Sequence, residues 1–187
     1  MSANNSHPRL VVINEEDLSR DMDRSIRELL VQCFPADRDY YSRRSRWHCI
    51  PAFRVIGTDE RNSIVAHAAV VDRRVSVGPA YASLRVAGIQ SFCVLQDYRG
   101  TGLSHRMMAV AMEEARGRAF DAGLLFCVNR VEPVYQRMGW AKLDAAVCMQ
   151  DEKQGKTPIP AKNITMYFPL KVGQFPPGDI DLAGPDW

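Results

Sequence analysis

The residues that most suggest chemistry form a short glycine-containing turn in the middle of the chain. An apolar, strand-like run ends at Leu95, and residues 99–104 (RGTGLS) then lead directly into a helical pattern. Glycines at 100 and 102 let consecutive backbone N–H groups converge on one point, because neither residue has a Cβ atom. The free N–H groups and positive dipole end of the following helix add to that convergence. The turn therefore predicts a pyrophosphate site.

Two cations in the first turn of the predicted helix support this interpretation. His105 and Arg106 stand where a helix dipole disfavours positive charge, so a nearby anion would account for them. The motif is neither a Walker loop, since no GKS or GKT follows, nor a dinucleotide fingerprint, since GxGxxG is absent. A plain glycine-rich turn is the alternative that these residues leave open.

Residues 99–104 resemble the coenzyme A loop of the GNAT superfamily of acyltransferases, whose pattern is (R/Q)xxGx(G/A). Ser104 departs from the usual Gly or Ala, but its small side chain still permits close backbone approach. The resemblance implies acetyl-CoA as co-substrate and a bulged strand before the loop, whose backbone holds pantetheine and the thioester carbonyl. The residues so implied to contact coenzyme A are Phe92, Cys93, Val94, Arg99, Gly100, Thr101, Gly102, Leu103, Ser104 and His105.

A second similarity to the superfamily lies at residues 135–140 (YQRMGW), which look like its YxxxGF element. This resemblance implies that Tyr135 is the catalytic acid that protonates the coenzyme A thiolate. A core aromatic residue with a single hydrogen bond is the alternative for Tyr135.

Two narrower families also resemble the chain, from about residue 34 to its end with residues 151–162 unmatched. Residues 64–71 (IVAHAAVV) and the terminal 184–187 (GPDW) are similar to aminoglycoside 2′-N-acetyltransferases. Residues 54–57 (RVIG) and 102–105 (GLSH) are similar to rhizobial nodulation N-acyltransferases, which acylate an amine of a chitin oligosaccharide. These resemblances imply a small acceptor that carries a primary amine, of the amino-sugar or aminoglycoside-like kind.

One departure bears on the acceptor. Gln90 stands where the aminoglycoside enzymes carry a glutamate that contacts the cationic acceptor, and a neutral amide neither attracts an ammonium nor acts as a base. We expect the acceptor to meet Asp37, Gln90, Asp186 and Trp187. Two other functions stay open: acyl transfer from an acyl carrier protein to an amino-sugar, and coenzyme A binding without catalysis.

The general base is not assigned by the sequence. An ammonium with a pKa of ~10.4 costs about 4–5 kcal/mol to deprotonate at pH 7. The Asp186 carboxylate, the terminal carboxylate or a water held by Gln90 could accept the proton. His67 titrates in a suitable range, but its strand is apolar on both faces, which favours a core histidine. Cys93 has no evident His or Asp partner to make it a nucleophile.

The elements that must position these residues follow the order β-α-β-β-β-α-β-α-β-β. The predicted strands cover 9–13, 52–57, 63–77, 85–95, 124–128, 140–149 and 163–170, and the predicted helices cover 17–34, 102–122 and 133–138. The polar segment 151–162 predicts a loop. The fold class is therefore α/β (α+β), and the resemblance implies the GNAT fold, a mixed central sheet of about seven strands flanked by helices.

Length and composition limit the remaining classes. We expect one domain over residues 1–187, with a flexible N-terminus (1–8) and a C-terminal tail (174–187) that folds back near the acceptor site, Gln90 and Tyr135. The net charge of +2 does not favour nucleic-acid binding, and no run approaches the ~18 apolar residues of a membrane span. Five scattered cysteines indicate reduced thiols and no metal site. We expect a cytoplasmic enzyme, and a homodimer is left open.

Overall fold

The helices and strands largely follow the predicted order. The computed structural model describes residues 7–79 and 82–187, so most of the predicted flexible N-terminus lies outside the described residues. The described strands are β1 (Arg9–Asn14), β2 (Phe53–Thr58), β3 (Ile64–Val77), β4 (Ala82–Val94), β5 (Ala122–Val128), β6 (Ala141–Leu143), β7 (Val147–Asp151), β8 (Gly155–Pro158), β9 (Asn163–Pro169) and β10 (Ile180–Asp181). The described α-helices are α1 (Arg20–Cys33), α2 (Arg38–Tyr41), α3 (Leu103–Gly117) and α4 (Glu132–Arg137).

The described strands form one mixed sheet that branches at β3. Strands β1 to β4 are antiparallel neighbours in chain order, β5 is parallel to β4, and β9 and β6 extend the sheet beyond β5. The end of β3 pairs with β10, which carries the β7–β8 hairpin. The mixed α/β fold with flanking helices is confirmed. The described sheet has ten strands where about seven were predicted.

Different elements cover the two faces of the sheet. The apolar stripe of α3, which includes Met107 and Ala111, packs with Val55 on one face. On the opposite face, α1 packs on Ile56. The neighbours Val55 and Ile56 lie in different clusters because successive residues of a strand point to opposite faces. The C-terminal tail covers the rest of the second face, around Val86.

Three predicted elements were wrong in extent. The helix predicted over 102–122 ends at Gly117, because Ala119 has a φ of +60° and Phe120 turns into the core, where it is 1% exposed. The strand predicted over 140–149 is two strands, since β6 pairs with β9 whereas β7 pairs with β8. The segment predicted as a loop contains β8. Asp151 stabilises the β7–β8 turn by accepting hydrogen bonds from the backbone of Lys153 (2.8 Å) and Gln154 (2.9 Å).

No helix in the described ranges is long and apolar enough to cross a membrane.

Candidate active site

Strand β4 contains a bulge at Ser91. Ser91 has a φ of +50°, and the register on β3 places His67 opposite Cys93 but Ala69 opposite Gln90. Strand β4 thus carries one residue more than β3 at this point. The extra residue bends β4 and leaves some of its backbone groups without a partner in the sheet. The family resemblance implied such a bulge in the strand before the coenzyme A loop.

Strands β4 and β5 part just before this bulge. They pair in parallel only from Val86 to Gly88, and no later β4–β5 pair occurs within residues 82–187. Strand β5 stays paired with β9 over its whole length, so the two neighbours diverge. The β4 edge from Gln90 to Val94 therefore faces a cleft rather than another strand. The Ser91 and Val94 carbonyls are engaged by His67 and Arg99, and the remaining backbone groups of this edge can bind a ligand.

His67 supports the bulge from inside the fold. Its Nδ1 lies 3.0 Å from the Ser91 carbonyl oxygen and its Nε2 lies 3.1 Å from a guanidinium nitrogen of Arg54. Arginine can only donate, so Nε2 accepts and Nδ1 carries the hydrogen donated to Ser91. Arg54 is held in turn by the Glu15 carboxylate at 2.6 and 2.9 Å.

His67 is a core residue and not a base. The side chain is fully buried, and burial together with the nearby Arg54 charge lowers the pKa of His67 to about 3. The imidazole is therefore neutral at physiological pH, and both of its nitrogens are already engaged.

The predicted phosphate turn is open to solvent. Gly100 and Gly102 have φ values of +77° and +78°, and a Cβ on either would meet no atom within 4 Å. The Arg99 Nε donates to the Val94 carbonyl (3.0 Å) and the Thr101 hydroxyl donates to the Tyr98 carbonyl (2.7 Å). Two side chains of the turn thus stabilise its shape, and the space above the glycines stays free. Gly102 is the N-cap of α3, which begins at Leu103.

The two cations of the first helical turn differ in position. His105 is exposed on α3. Arg106 donates from Nη2 to the Pro8 carbonyl at 3.1 Å, whereas its Nη1 is buried and has no hydrogen-bond partner among the described residues.

Tyr135 lies on α4, across from the bulged strand. Its ring centroid is 6.2 Å from that of Phe92 and 6.2 Å from that of Trp140. Burial, with a smaller contribution from the Cys127 thiol, raises the pKa of Tyr135 well above its ordinary value. Among the described residues, no group hydrogen-bonds the phenolic oxygen. The phenol is therefore protonated at neutral pH and has its proton available.

The C-terminal tail folds back onto the sheet. Leu182 is fully buried, and the Trp187 indole lies so close to Gly88 that a Cβ there would overlap it. The Trp187 Nε1 donates to the Leu124 carbonyl at 3.4 Å. The last residue thus sits where β4 and β5 part. Tyr135 packs in the cluster on the opposite face, so the expectation that the tail would also approach Tyr135 was wrong.

Gln90 holds a neighbouring segment against β4. Its Oε1 accepts from the Trp47 backbone N–H at 2.9 Å, and its Nε2 donates to the Cys49 carbonyl at 2.8 Å. The side chain is 3% exposed. Gln90 was expected to contact the acceptor, and in this position its amide fixes residues 47–49. Asp37 is exposed in the turn before α2.

Asp186 has a partner that no motif indicated. Its Oδ1 lies 2.6 Å from Nδ1 of His48, and its backbone carbonyl accepts a hydrogen bond from the Cys49 thiol at 3.4 Å. Arg73 reaches the same thiol at 3.0 Å. The structure thus joins residues 47–49, Gln90 and the tail into one unit. No sequence pattern within these segments indicates that they contact one another.

Comparisons with known proteins agree with this geometry. The family model described as "Acetyltransferase (GNAT) domain" matches residues 17–143. The aminoglycoside 2′-N-acetyltransferase of Mycolicibacterium fortuitum is 25% identical over 129 residues, or 69% of this chain. The chain spans 63% of the length of that relative.

Solved structures are similar in fold. A GNAT N-acetyltransferase from Escherichia coli in complex with CoA has a TM-score of 0.63 at 14% identity, over 98% of this chain and 93% of that one. An acyl-CoA N-acyltransferase from Pseudomonas aeruginosa has a TM-score of 0.61 at 16% identity, over 86% of this chain and 99% of that one.

Proposed function

The chain belongs to the GNAT family of acetyltransferases, and we propose that it transfers an acetyl group from acetyl-CoA to a primary amine of a small acceptor. One observation carries the proposal: the bulged edge of β4 opens onto a cleft and continues directly into an exposed turn with two left-handed glycines. An elongated ligand with a pyrophosphate at one end and a thioester at the other fits this arrangement.

The turn has the properties that a pyrophosphate needs. The free space above Gly100 and Gly102 admits an anion close to the backbone, and α3 begins directly after Gly102 with N–H groups that have no partner within the helix. Residues 99–105 would hold the pyrophosphate, and the backbone of Phe92, Cys93 and Val94 would hold pantetheine. The bound acetyl-CoA supplies the activated acetyl group.

Two features of the cleft would promote transfer. A backbone N–H beside the bulge near Phe92 would polarise the thioester carbonyl, as an oxyanion-binding donor does. Tyr135 would give its proton to the departing thiolate. Burial, which raises the pKa of Tyr135, keeps the phenol protonated before transfer, but it also makes the phenol a weaker acid toward a thiolate whose thiol has a pKa of about 8.5.

We place the acceptor on the opposite side of the cleft, where the tail and residues 47–49 meet. The Trp47 and His48 rings lie 4.8 Å apart, and the Tyr40 and His48 rings lie 6.2 Å apart. Aromatic faces beside the Asp186 carboxylate suit the apolar surface and the ammonium group of an amino-sugar. Aminoglycosides carry their amines on sugar-like rings, so the similarity to the M. fortuitum enzyme supports an amine on such a ring.

The charges at this mouth favour an acceptor with one amine over a polyamine. Arg44 stacks on Tyr40 at 4.4 Å, Arg46 contacts the His48 carbonyl at 3.4 Å, and Arg73 lies 3.0 Å from Cys49. Three guanidinium groups would repel a molecule with several ammonium groups. We therefore propose a singly charged amino-sugar as the acceptor, in preference to an aminoglycoside.

The test is release of the coenzyme A thiol from acetyl-CoA, measured over a panel of amines. The panel contains glucosamine, a partly deacetylated chitin oligosaccharide and kanamycin, together with calorimetric titration of coenzyme A. We expect coenzyme A binding and faster thiol release with the singly charged amines than with kanamycin. Binding without release for any amine would favour a coenzyme A-binding module. A preference for kanamycin would overturn the proposed acceptor class.

A further inference from the structure

We propose that His48 is the general base for the acceptor amine and that Asp186 positions it. This inference rests on the proposed function, because it assigns the proton acceptor for that transfer. The sequence offered Asp186, the terminal carboxylate or a water as bases. The geometry points to the imidazole that Asp186 contacts.

The hydrogen bond between the two residues sets the direction of the imidazole. The distance from Nδ1 of His48 to Oδ1 of Asp186 is 2.6 Å. An ionised carboxylate can only accept, so Nδ1 carries the hydrogen and Nε2 keeps a free lone pair. Among the described residues, no group bonds Nε2. The side chain of Asp186 is 11% exposed and that of His48 is 43% exposed, so the carboxylate is enclosed and the imidazole can reach a ligand.

Independent contacts fix both partners beside the cleft. Gln90 holds the residues on either side of His48 through the Trp47 N–H and the Cys49 carbonyl. Gln90 directly precedes the bulge at Ser91. Asp186 is followed by Trp187, whose indole fills the fork between β4 and β5. The imidazole and its carboxylate are therefore both tied to the strand that faces the thioester.

The charged groups around the imidazole come from several elements. Asp186 of the tail and Asp151 at the end of β7 supply negative charge that stabilises an imidazolium. Arg46, which bonds the His48 carbonyl, and Arg73, which reaches Cys49, supply positive charge that opposes it. The remaining titratable neighbours are the Tyr40 phenol and the Cys49 thiol. Among the charged groups of the described residues, the Asp186 carboxylate is the one that hydrogen-bonds the imidazole.

The proton balance of the transfer leaves a role for this base. An ammonium acceptor loses two protons as it becomes an amide. One passes to Nε2 of His48 and then to solvent, which frees the nitrogen lone pair to attack the thioester carbonyl. The carbon–sulfur bond then breaks, and the thiolate takes the proton of Tyr135. The second proton leaves the former amine nitrogen and, through solvent, restores the phenol of Tyr135.

The first test is the pH dependence of kcat/KM for the amine in the wild type and in His48→Gln. Only a neutral imidazole can accept the proton, so the wild type should show an acidic limb. We expect His48→Gln to lose that limb and to lower kcat/KM about 10²-fold to 10³-fold, within the usual range for a general base. The affinity for coenzyme A should be unchanged. His7→Gln, at an exposed histidine far along the chain from the site, is the matched control.

The second test does not depend on turnover. Long-range ¹H–¹⁵N correlation spectra of the histidine side chains should show one imidazole, absent in His48→Gln, with its hydrogen on Nδ1. Asp186→Asn should shift that imidazole toward the other tautomer and lower kcat/KM by less than His48→Gln does. Asp186→Glu should restore part of the Nδ1 tautomer and part of kcat/KM, which a merely structural role for Asp186 would not produce.

The outcomes separate this inference from the function on which it rests. A wild type that acetylates an amine, with an equally active His48→Gln of unchanged pH profile, would overturn the inference alone. A His48 imidazole protonated only on Nε2 would overturn it as well. A wild type that binds coenzyme A but acetylates no amine would overturn the transfer function and the base together.

Discussion

The proposed coenzyme A side of the cleft and its proposed acceptor side are assembled in different ways. The coenzyme A side is one continuous stretch, residues 92–105, in which a strand, a turn and a helix follow each other. The acceptor side joins residues 47–49, Gln90 of β4 and the last two residues of the chain, and His48 and Asp186 are 138 positions apart. A continuous site depends on local conformation, whereas a discontinuous one depends on how well its separate segments are anchored.

The anchors of the acceptor side are extensive for so short a tail. Ile180, Leu182 and Trp187 are all nearly fully buried, and replacing a buried tryptophan by alanine usually costs about 3–5 kcal/mol. This packing holds Asp186 against His48 although the tail has only two residues in a strand. A terminal segment without periodicity can thus be held as firmly as a helix when its side chains fill a gap in the core.

Removal of residues 184–187 should have the largest effect and should separate the two sides. The deletion removes Asp186 and the indole at the fork but leaves residues 92–105 intact. We expect acetyl transfer to fall by about 10³-fold or more, as the loss of both the carboxylate that positions the base and a wall of the acceptor site would give. The affinity for coenzyme A should stay within a few-fold, measured by calorimetry.

A folding control is needed because the deletion also opens the core. Thermal unfolding of the truncated chain, and of the milder variant Trp187→Phe, shows whether the domain remains folded. A truncated enzyme with wild-type kinetics would show that the tail has no part in the acceptor site.

Tyr135→Phe should lower kcat by about 10²-fold, the low end for general acid–base catalysis, with little change in acetyl-CoA affinity. The hydroxyl makes no described hydrogen bond, so its removal should not destabilise the fold. Steady-state kinetics and a calorimetric titration are the measurements. Retained kcat would mean that Tyr135 is only a packing residue and that the thiolate leaves without its proton.

Gly102→Val should weaken coenzyme A binding well over tenfold, because the side chain of the valine would occupy the open space where the pyrophosphate fits. The backbone strain at a φ of +78° adds to this effect, at about 1–2 kcal/mol for a left-handed residue. Gly155→Val is the matched control, since Gly155 has a φ of +70° and equally open surroundings in the β7–β8 turn. Equal coenzyme A affinity in the two variants would refute the phosphate site.

The variant His67→Gln tests how the buried, neutral imidazole of His67 stabilises the bulge, which lies between the two sides of the cleft. The pKa of His67 is about 3 in the folded protein and about 6.5 when unfolded, so the unfolded chain binds the proton first. The contribution of the neutral imidazole to the free energy of unfolding is therefore complete above about pH 6.5 and declines as the pH falls toward 3. We expect wild-type stability to fall about 2 kcal/mol more than that of His67→Gln between pH 7 and pH 5.

Urea unfolding at several pH values measures this difference. The glutamine can keep one donor and one acceptor in place of the imidazole nitrogens, so the variant should still fold. Parallel stability curves for the two proteins would contradict the buried, neutral state of His67.

The sequence was most informative where a single local property decides the outcome. The turn at residues 99–104 was predicted because left-handed glycines and a helix N-terminus are local features, and its open shape fits the prediction. Most element positions followed from apolar periodicity. The end of α3 did not, because the left-handed Ala119 and the buried Phe120 interrupt a pattern that continues to favour a helix.

Other features were decided only when distant segments packed together. Gln90 was predicted to meet the acceptor because of its position in a family pattern, but no local pattern indicated that its amide holds the backbone of Trp47 and Cys49. The sequence around His48 does not indicate a carboxylate partner, because that partner, Asp186, belongs to the C-terminal tail. The sequence alone determined the superfamily through its resemblance to known members. It also determined the approximate order of elements and the open shape of the turn at residues 99–104, which depend on local conformation. Only the tertiary structure decided which side chains share the acceptor side, because side-chain contacts across many residues depend on the packing of the whole fold.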